Sequence, residues 1–459
     1  MTRKALVIAA PSSGAGKTTI TLALLRLLKR RGYKVAAYKT GPDFIDPSYH
    51  HAAITLALKP MPAISFDALA RVSGCNLDPW SMNREQLKAH YALAQESDWS
   101  IIEGVMGLYD ASISTQGSSA DLAIALDVPV ALVLDCSKQG QSIAALAKGF
   151  LDYAPKRLRF AGFILNNLGS ERHEAMIRAA LAPLSLPILA SLPKAPALKL
   201  ASRHLGLHQA FEHEDLEQYL NKAADWLEQG LDFQALELGA QQDKAQDKDT
   251  AFQLPLIIKQ EGIKRVALAY DAAFSFFYAH HAQALKAQGI EVLPFSPLAN
   301  QCVPDGADMV WLVGGYPELF AKEIAHADQT WSSLRACVAR GAWVWAECGG
   351  YMAIGSELID RAGQAWPMAG LLPHRTSFAQ PKRTLGYRQL HSLVATPFGA
   401  KGQTLFGHEF HYSQLIENEN HLQQGKVQPL FALKDAAGQD LGWAGSAEGR
   451  VQDSYIHVI

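Results

Sequence analysis

Apolar and polar positions alternate along this chain with two different periods. Short apolar runs at residues 5–10 and 34–38 flank a stretch, residues 17–31, in which leucine and isoleucine recur every three to four positions. Strand, helix and strand in that order predict a parallel sheet with helices on its faces. Further unbroken apolar runs at residues 99–102, 128–134 and 161–165 read as buried strands, and they stop on Glu103, Asp135 and Asn166. Ligands of such sheets gather at the carboxyl ends of the strands, so a strand that stops on Glu103 or Asp135 is predicted to point a functional group at a crevice. From residue 235 to 252 the text turns polar and loses its period, which predicts a linker. Beyond it the same pattern restarts, with strands at 265–269, 291–294, 309–313 and 343–346, a helix at 278–288, and a strand-and-turn region at 383–413. The expected organisation is an α/β domain at 1–234, a linker at 235–258 and a second α/β domain at 259–459, without internal repeats.

Composition narrows the function. The length of 459 residues suits about three domains or two large ones. Lys and Arg number 42 against 44 Asp and Glu, a net charge of −2 that argues against a nucleic-acid surface. No apolar stretch approaches the roughly 18 residues of a membrane helix, and the first run is too short for a signal-peptide core. A cytoplasmic chain with neither nucleic-acid nor membrane partners is expected. Five scattered cysteines, Cys75, Cys136, Cys302, Cys337 and Cys348, lack the paired spacing of a disulfide framework or a zinc site.

Three segments carry candidate chemistry. Ser12, Ser13, Gly14, Ala15, Gly16, Lys17, Thr18 and Thr19 lie between a strand and a helix, the context of a phosphate-binding loop. Backbone N–H groups of small residues wrap a polyphosphate, Lys17 adds charge and the Thr18 hydroxyl can ligate Mg²⁺. Pro11 stands where the usual pattern has glycine. Asp43 and Asp46 lie in a proline-bracketed loop beyond the second strand, and Glu103 and Asp110 follow another. Carboxylates around a nucleotide can hold Mg²⁺ or place a substrate, although taken singly each also reads as a loop cap. In the second domain Cys348, with Gly349 and Gly350 after it, tops a strand-turn-helix in the manner of a nucleophile elbow. The helix N-terminus is expected to lower its thiol pKa. Its base could be His457, His408 or His411, which the residues alone do not separate.

Taken together and in order, the SSGAGKTT loop, GPDFIDP at 41–47, NLD at 76–78, residues 103–110, SERH at 170–173, SRHLGL at 202–207, DAAFSF at 271–276, GGYPE at 314–318, ECGG at 347–350, residues 408–413 and His457 resemble the cobyrinate a,c-diamide synthase family. The resemblance spans nearly the whole chain. It implies a dethiobiotin-synthetase-like P-loop domain joined to a class I, triad-type glutamine amidotransferase domain. It further implies that Cys348 attacks the glutamine side chain with His457 as base, and that the backbone at Gly315 and Gly349 stabilises the oxyanion. ATP with Mg²⁺, held in part by Thr18, Asp43 and Glu103, would phosphorylate carboxylates of a corrinoid substrate, first at c and then at a, with Asp46 and Asp110 among the acidic positions. Ammonia then displaces phosphate. A homodimer is compatible with this reading, and so is either a cobalt-bearing or a metal-free corrinoid. Two features depart from the family pattern: extra residues around 59–73, and the absence of the usual His-x-Glu, since Val458 and Ile459 follow His457. Cobyric acid synthase and nickel-sirohydrochlorin a,c-diamide synthase remain sister alternatives, and the deviant phosphate loop is shared with ParA-like ATPase switches.

Overall fold

A computed structural model describes residues 3–55, 76–94, 96–112, 116–200, 202–203, 206–243, 258–416 and 427–459. The extra residues around 59–73 and most of the expected linker lie outside them. The chain divides into two compact units, one running through Gln253 and the other from Leu254 on.

In the first unit seven strands pair side by side in the order Asn76–Leu77, Val35–Thr40, Trp99–Glu103, Arg3–Ala9, Val130–Asp135, Phe160–Leu168 and Ile188–Pro193, all parallel. The strands are buried at nearly every position, as the unbroken apolar runs required. The helix Lys17–Arg30 follows the first strand, buries Ile20, Leu24, Leu27 and Leu28, and ends on Lys29 and Arg30, whose charges suit its carbonyl terminus. Parallel register sets both Ile8 and Lys39 beside Glu103, so one sheet edge collects a lysine and a carboxylate on neighbouring strands.

The linker starts later than the sequence pattern suggests. Residues Phe233–Gly239 form a helix capped by Asp232, whose carboxylate accepts from the Ala235 N–H at 2.9 Å. Strand Gln241–Asp243 then pairs antiparallel with Arg3, Lys4 and Ala5. The polar text hid both elements because a short helix and a two-sided edge pairing need little apolar patterning.

The second unit is built on one ten-stranded sheet of mixed direction. Its parallel half runs Glu291–Phe295, Arg265–Ala269, Met309–Leu312, Trp343–Glu347 and Val451–Ser454. Its antiparallel half continues through Asp440–Glu448, Gln428–Asp435, Thr384–Ser392, Thr404–His411 and His457–Val458. Only Tyr455 and Ile456 separate the strand Val451–Ser454 from His457–Val458, yet four strands intervene in the sheet order. Three peptide steps span about 10 Å, so the sheet must curl back on itself and bring His457 toward the end of Trp343–Glu347. Among the described residues no helix is long and apolar enough to cross a membrane.

Candidate functional site

In the first unit the loop after the Arg3–Ala9 strand turns at Gly14 and Gly16, whose φ values of +82° and +95° need glycine. Gly16 is the N-cap of the Lys17–Arg30 helix and no side chain caps it, which leaves the first N–H groups of the helix to a ligand. The departure at Pro11 does not prevent this geometry. Lys17 Nζ bridges the carbonyls of Ser12, at 3.1 Å, and Met106. Burial, and next the charge of Lys39, lower its pKa.

Thr18 Oγ1 donates to Glu103 Oε1 at 2.6 Å, and Lys39 Nζ reaches the same oxygen at 3.0 Å while pairing with Asp46. Asp43 Oδ2 lies 4.0 Å from that ammonium, and His50 Nε2 lies 2.6 Å from Glu103 Oε2. Burial works against a charge on Glu103 but is outweighed by Lys39 and His50, which hold its carboxyl well below the usual range. Three of the four expected carboxylates therefore converge. Asp43 also caps its own loop, accepting from Ile45 and Asp46 N–H groups at 2.8 and 3.0 Å. Asp110 stands apart from the Lys39 cluster, its carboxylate folded onto the Gly107 N–H at 2.8 Å, although its charge is felt at Lys17. Lys39 and His50 were not anticipated. Lys39 had a legible signal, a charge near the end of an apolar strand, the same one that exposed Glu103.

A cavity of about 630 Å³ opens here, lined by Gly14, Gly16, Thr18, Thr19, Asp43 and Asp46. Asn166, Asn167, Lys199 and Trp226 line it too. Asn166 is fixed by donating to the Ala15 carbonyl at 2.9 Å, and Asn167 by donating to Asp135 at 2.9 Å, so all three polar strand ends meet this region. No group of three or more metal-ligating side chains is assembled among the described residues. The set nevertheless fits Mg²⁺ of the kind that arrives on a nucleotide, which takes one or two protein oxygens and leaves the rest to phosphate and water. Thr18 Oγ1 beside Glu103 is a pair of that kind.

In the second unit Cys348 tops the turn between the Trp343–Glu347 strand and the helix Gly349–Ile354, with φ +48° and ψ −99°. That backbone is strained for a residue with a side chain, a feature that clusters at functional sites. Small neighbours make the turn fit: a Cβ on Gly349 would lie 2.9 Å from the Gly315 nitrogen. A Cβ on Gly314 would lie 3.1 Å from His457 Nε2 and 3.2 Å from Cys348 Cβ, so cysteine and histidine flank one point in space. His408 pairs across the strands with His457 and their rings stack at 5.0 Å, whereas His411 stacks on Tyr455 at 3.8 Å and holds Glu409 at 3.0 Å. Geometry thus separates the three histidines.

Burial pushes the Cys348 thiol up, and the charge of Glu318 adds to it. The expected lowering at the helix start is present, through the Gly349 N–H, but burial and the neighbouring carboxylates outweigh it. Burial also holds His457 well below its ordinary value, helped by His408 and His411. The resting pair is thiol and neutral imidazole. Glu347 Oε2 lies 3.8 Å from His457 Nδ1.

Residues 6–207 match the family described as the CobQ/CobB/MinD/ParA nucleotide binding domain, and residues 265–459 match the CobB/CobQ-like glutamine amidotransferase domain. Hydrogenobyrinate a,c-diamide synthase of Brucella anthropi is 45% identical over 458 residues, covering 99% of this chain and 98% of that one. The enzyme of the same name from Rhodobacter capsulatus is 45% identical over 460 residues, and that from Mesorhizobium japonicum 41% over 471. This chain belongs to the hydrogenobyrinate a,c-diamide synthase family. The two-domain α/β architecture expected from the sequence is the one these matches carry, a nucleotide-binding unit followed by a glutamine amidotransferase unit. A cobyrinic acid a,c-diamide synthase structure from Mycobacterium smegmatis with bound ADP and magnesium is more distant, 17% identical with a TM-score of 0.28 over 49% of this chain and 93% of that one.

Proposed function

We propose that this member of the a,c-diamide synthase family is a carbon–nitrogen ligase that amidates the a and c carboxylates of hydrogenobyrinic acid, using glutamine and ATP. Supporting the substrate is the whole-length identity of 41 to 45% to relatives that carry the hydrogenobyrinate name. The observation that carries the chemistry is the meeting of Cys348 and His457 around Gly314.

Glutamine hydrolysis begins when Cys348 Sγ attacks the side-chain amide carbon. The thiol proton passes to His457 Nε2, the carbonyl π pair moves onto oxygen, and N–H groups at Gly315 and Gly349 receive that oxyanion. Collapse expels ammonia with the proton from Nε2, leaving a thioester that water hydrolyses. In the nucleotide unit a carboxylate oxygen of the corrinoid attacks the γ-phosphorus and ADP departs. Ammonia then attacks the acyl carbon and phosphate leaves, which forms the amide. The phosphate loop and Lys17 bind the ATP phosphates, while Lys39 offsets the crowded charge of Asp46 and Glu103. Thr18 and Glu103 would hold from this chain the Mg²⁺ that comes with ATP, and that ion would neutralise phosphate charge. Asp43, Asp46 and Asp110 are proposed to place the substrate carboxylate.

The test is mass spectrometry of products from hydrogenobyrinate, cobyrinate and nickel-sirohydrochlorin offered in parallel with ATP and glutamine. The reading expects two mass increments, each of one carboxylate-to-amide exchange, on hydrogenobyrinate. Diamide formed only from nickel-sirohydrochlorin or cobyrinate overturns it.

A further inference from the structure

The sequence lacks the carboxylate that usually follows the catalytic histidine by two positions, and the structure explains why nothing replaces it locally. That position is Ile459, which is buried and whose N–H donates to the Phe406 carbonyl at 3.0 Å. A carboxylate arrives instead from the other side of the site. Glu347 is the last residue of the Trp343–Glu347 strand, immediately before Cys348, and its side chain is buried. One oxygen, Oε1, accepts from Trp345 Nε1 at 2.8 Å and from the Val458 N–H at 3.3 Å. The other, Oε2, faces His457 Nδ1 at 3.8 Å.

We infer that Glu347 is the positioning residue of the glutaminase site, completing with Cys348 and His457 a triad whose acid precedes the nucleophile in sequence. The inference rests on the proposed roles of Cys348 and His457. The other carboxylates whose charge reaches the thiol include Glu318, in the turn Pro317–Leu319, and Glu409, which is engaged by Arg388 and His411 at 2.8 and 3.0 Å. The anchoring of Oε1 to the residue after His457 fixes the distance between carboxylate and ring, so Oε2 needs only a small closure to accept from Nδ1. A buried carboxylate without a cation is costly, and burial pushes Glu347 up to about 7. The cation appears when the thiol proton reaches Nε2, because the imidazolium then carries its second proton on Nδ1, facing Oε2. Glu347 therefore favours the charged state of the reaction over the neutral resting pair, which is where a group raises kcat.

The experiment compares Glu347→Gln, Glu347→Asp and Cys348→Ser in the full chain, measuring glutamine hydrolysis, KM for glutamine, and corrinoid amidation with free ammonia. Glu347→Gln keeps the shape and the acceptor toward Trp345 but loses the charge. Its kcat for hydrolysis is expected to fall by about 10²-fold, with KM and ammonia-dependent amidation within about twofold of wild type. Glu347→Asp should recover part of that loss. A kcat for Glu347→Gln within twofold of wild type overturns the inference. So does a rise in KM or an equal loss in Glu347→Asp, since either assigns Glu347 to packing alone. Glutamine hydrolysis that survives in Cys348→Ser would instead overturn the proposed nucleophile, so the two failures are distinguishable.

Discussion

Burial disfavours charge on both Cys348 and His457, so the glutaminase chemistry proposed for them depends on placement more than on charge. That dependence makes Gly314 an exacting position, because it touches both side chains. A methyl group there would lie 3.1 Å from His457 Nε2 and 3.2 Å from Cys348 Cβ, and nearer still to His457 Cε1. Gly314→Ala is therefore expected to displace the imidazole and lower glutamine hydrolysis by about 10²-fold, while amidation from free ammonia persists. Parallel assays with the two nitrogen sources decide it, and undiminished glutamine use would refute the placement argument. Cysteine and its glycines were legible in the sequence because an elbow is a local pattern. The choice among His408, His411 and His457 was not, because it depends on which strands a curled sheet brings together.

Buried strands announced themselves, since a strand covered on both faces is an unbroken apolar run and a polar stop marks its end. Glu103, Asp135 and Asn166 were found that way. Lys39, directly after the apolar run at 34–38, carried the same mark without being singled out, whereas His50 comes from the helix Asp46–Ile54, whose packing on the sheet leaves no periodic trace. Another helix carries a pH consequence. His90, on the helix Arg84–Ala92, is fully buried, and burial lowers its pKa to about 4. The unfolded chain takes up this proton near pH 6.5 and the folded one only near 4, so the stability of the first unit is intact above 6.5. It is lost progressively as pH falls through that window, by up to about 3 kcal/mol at the acid end. Urea melts between pH 7 and 4 should show the decline, and His90→Phe, which cannot bind a proton, should flatten part of it. Equal slopes in both proteins would remove His90 as the cause.

Across the whole molecule, chemistry is partitioned: nucleotide and acidic groups occupy one unit and the thiol the other. Lys17→Ala is expected to reduce amidation by at least about 10²-fold with glutamine and with ammonia alike, yet leave the hydrolysis step at Cys348 competent when assayed alone. Mass spectrometry of the corrinoid and release of glutamate report the two activities, and normal amidation would exclude the loop from phosphoryl transfer. The division into two α/β units was legible because the apolar pattern stops and restarts, whereas the exact junction was not. The short strand Gln241–Asp243 ties the end of the first unit back to Arg3–Ala5, next to its own beginning. Its first and last described strands are thus neighbours, and Arg3–Ala5 gives up one rank of backbone hydrogen bonds if the polypeptide is cut before Asp243. Transplanting this unit onto a different partner domain, or permuting its termini, consequently requires a cut beyond Asp243, in the polar stretch that the pattern of residues marked as a linker.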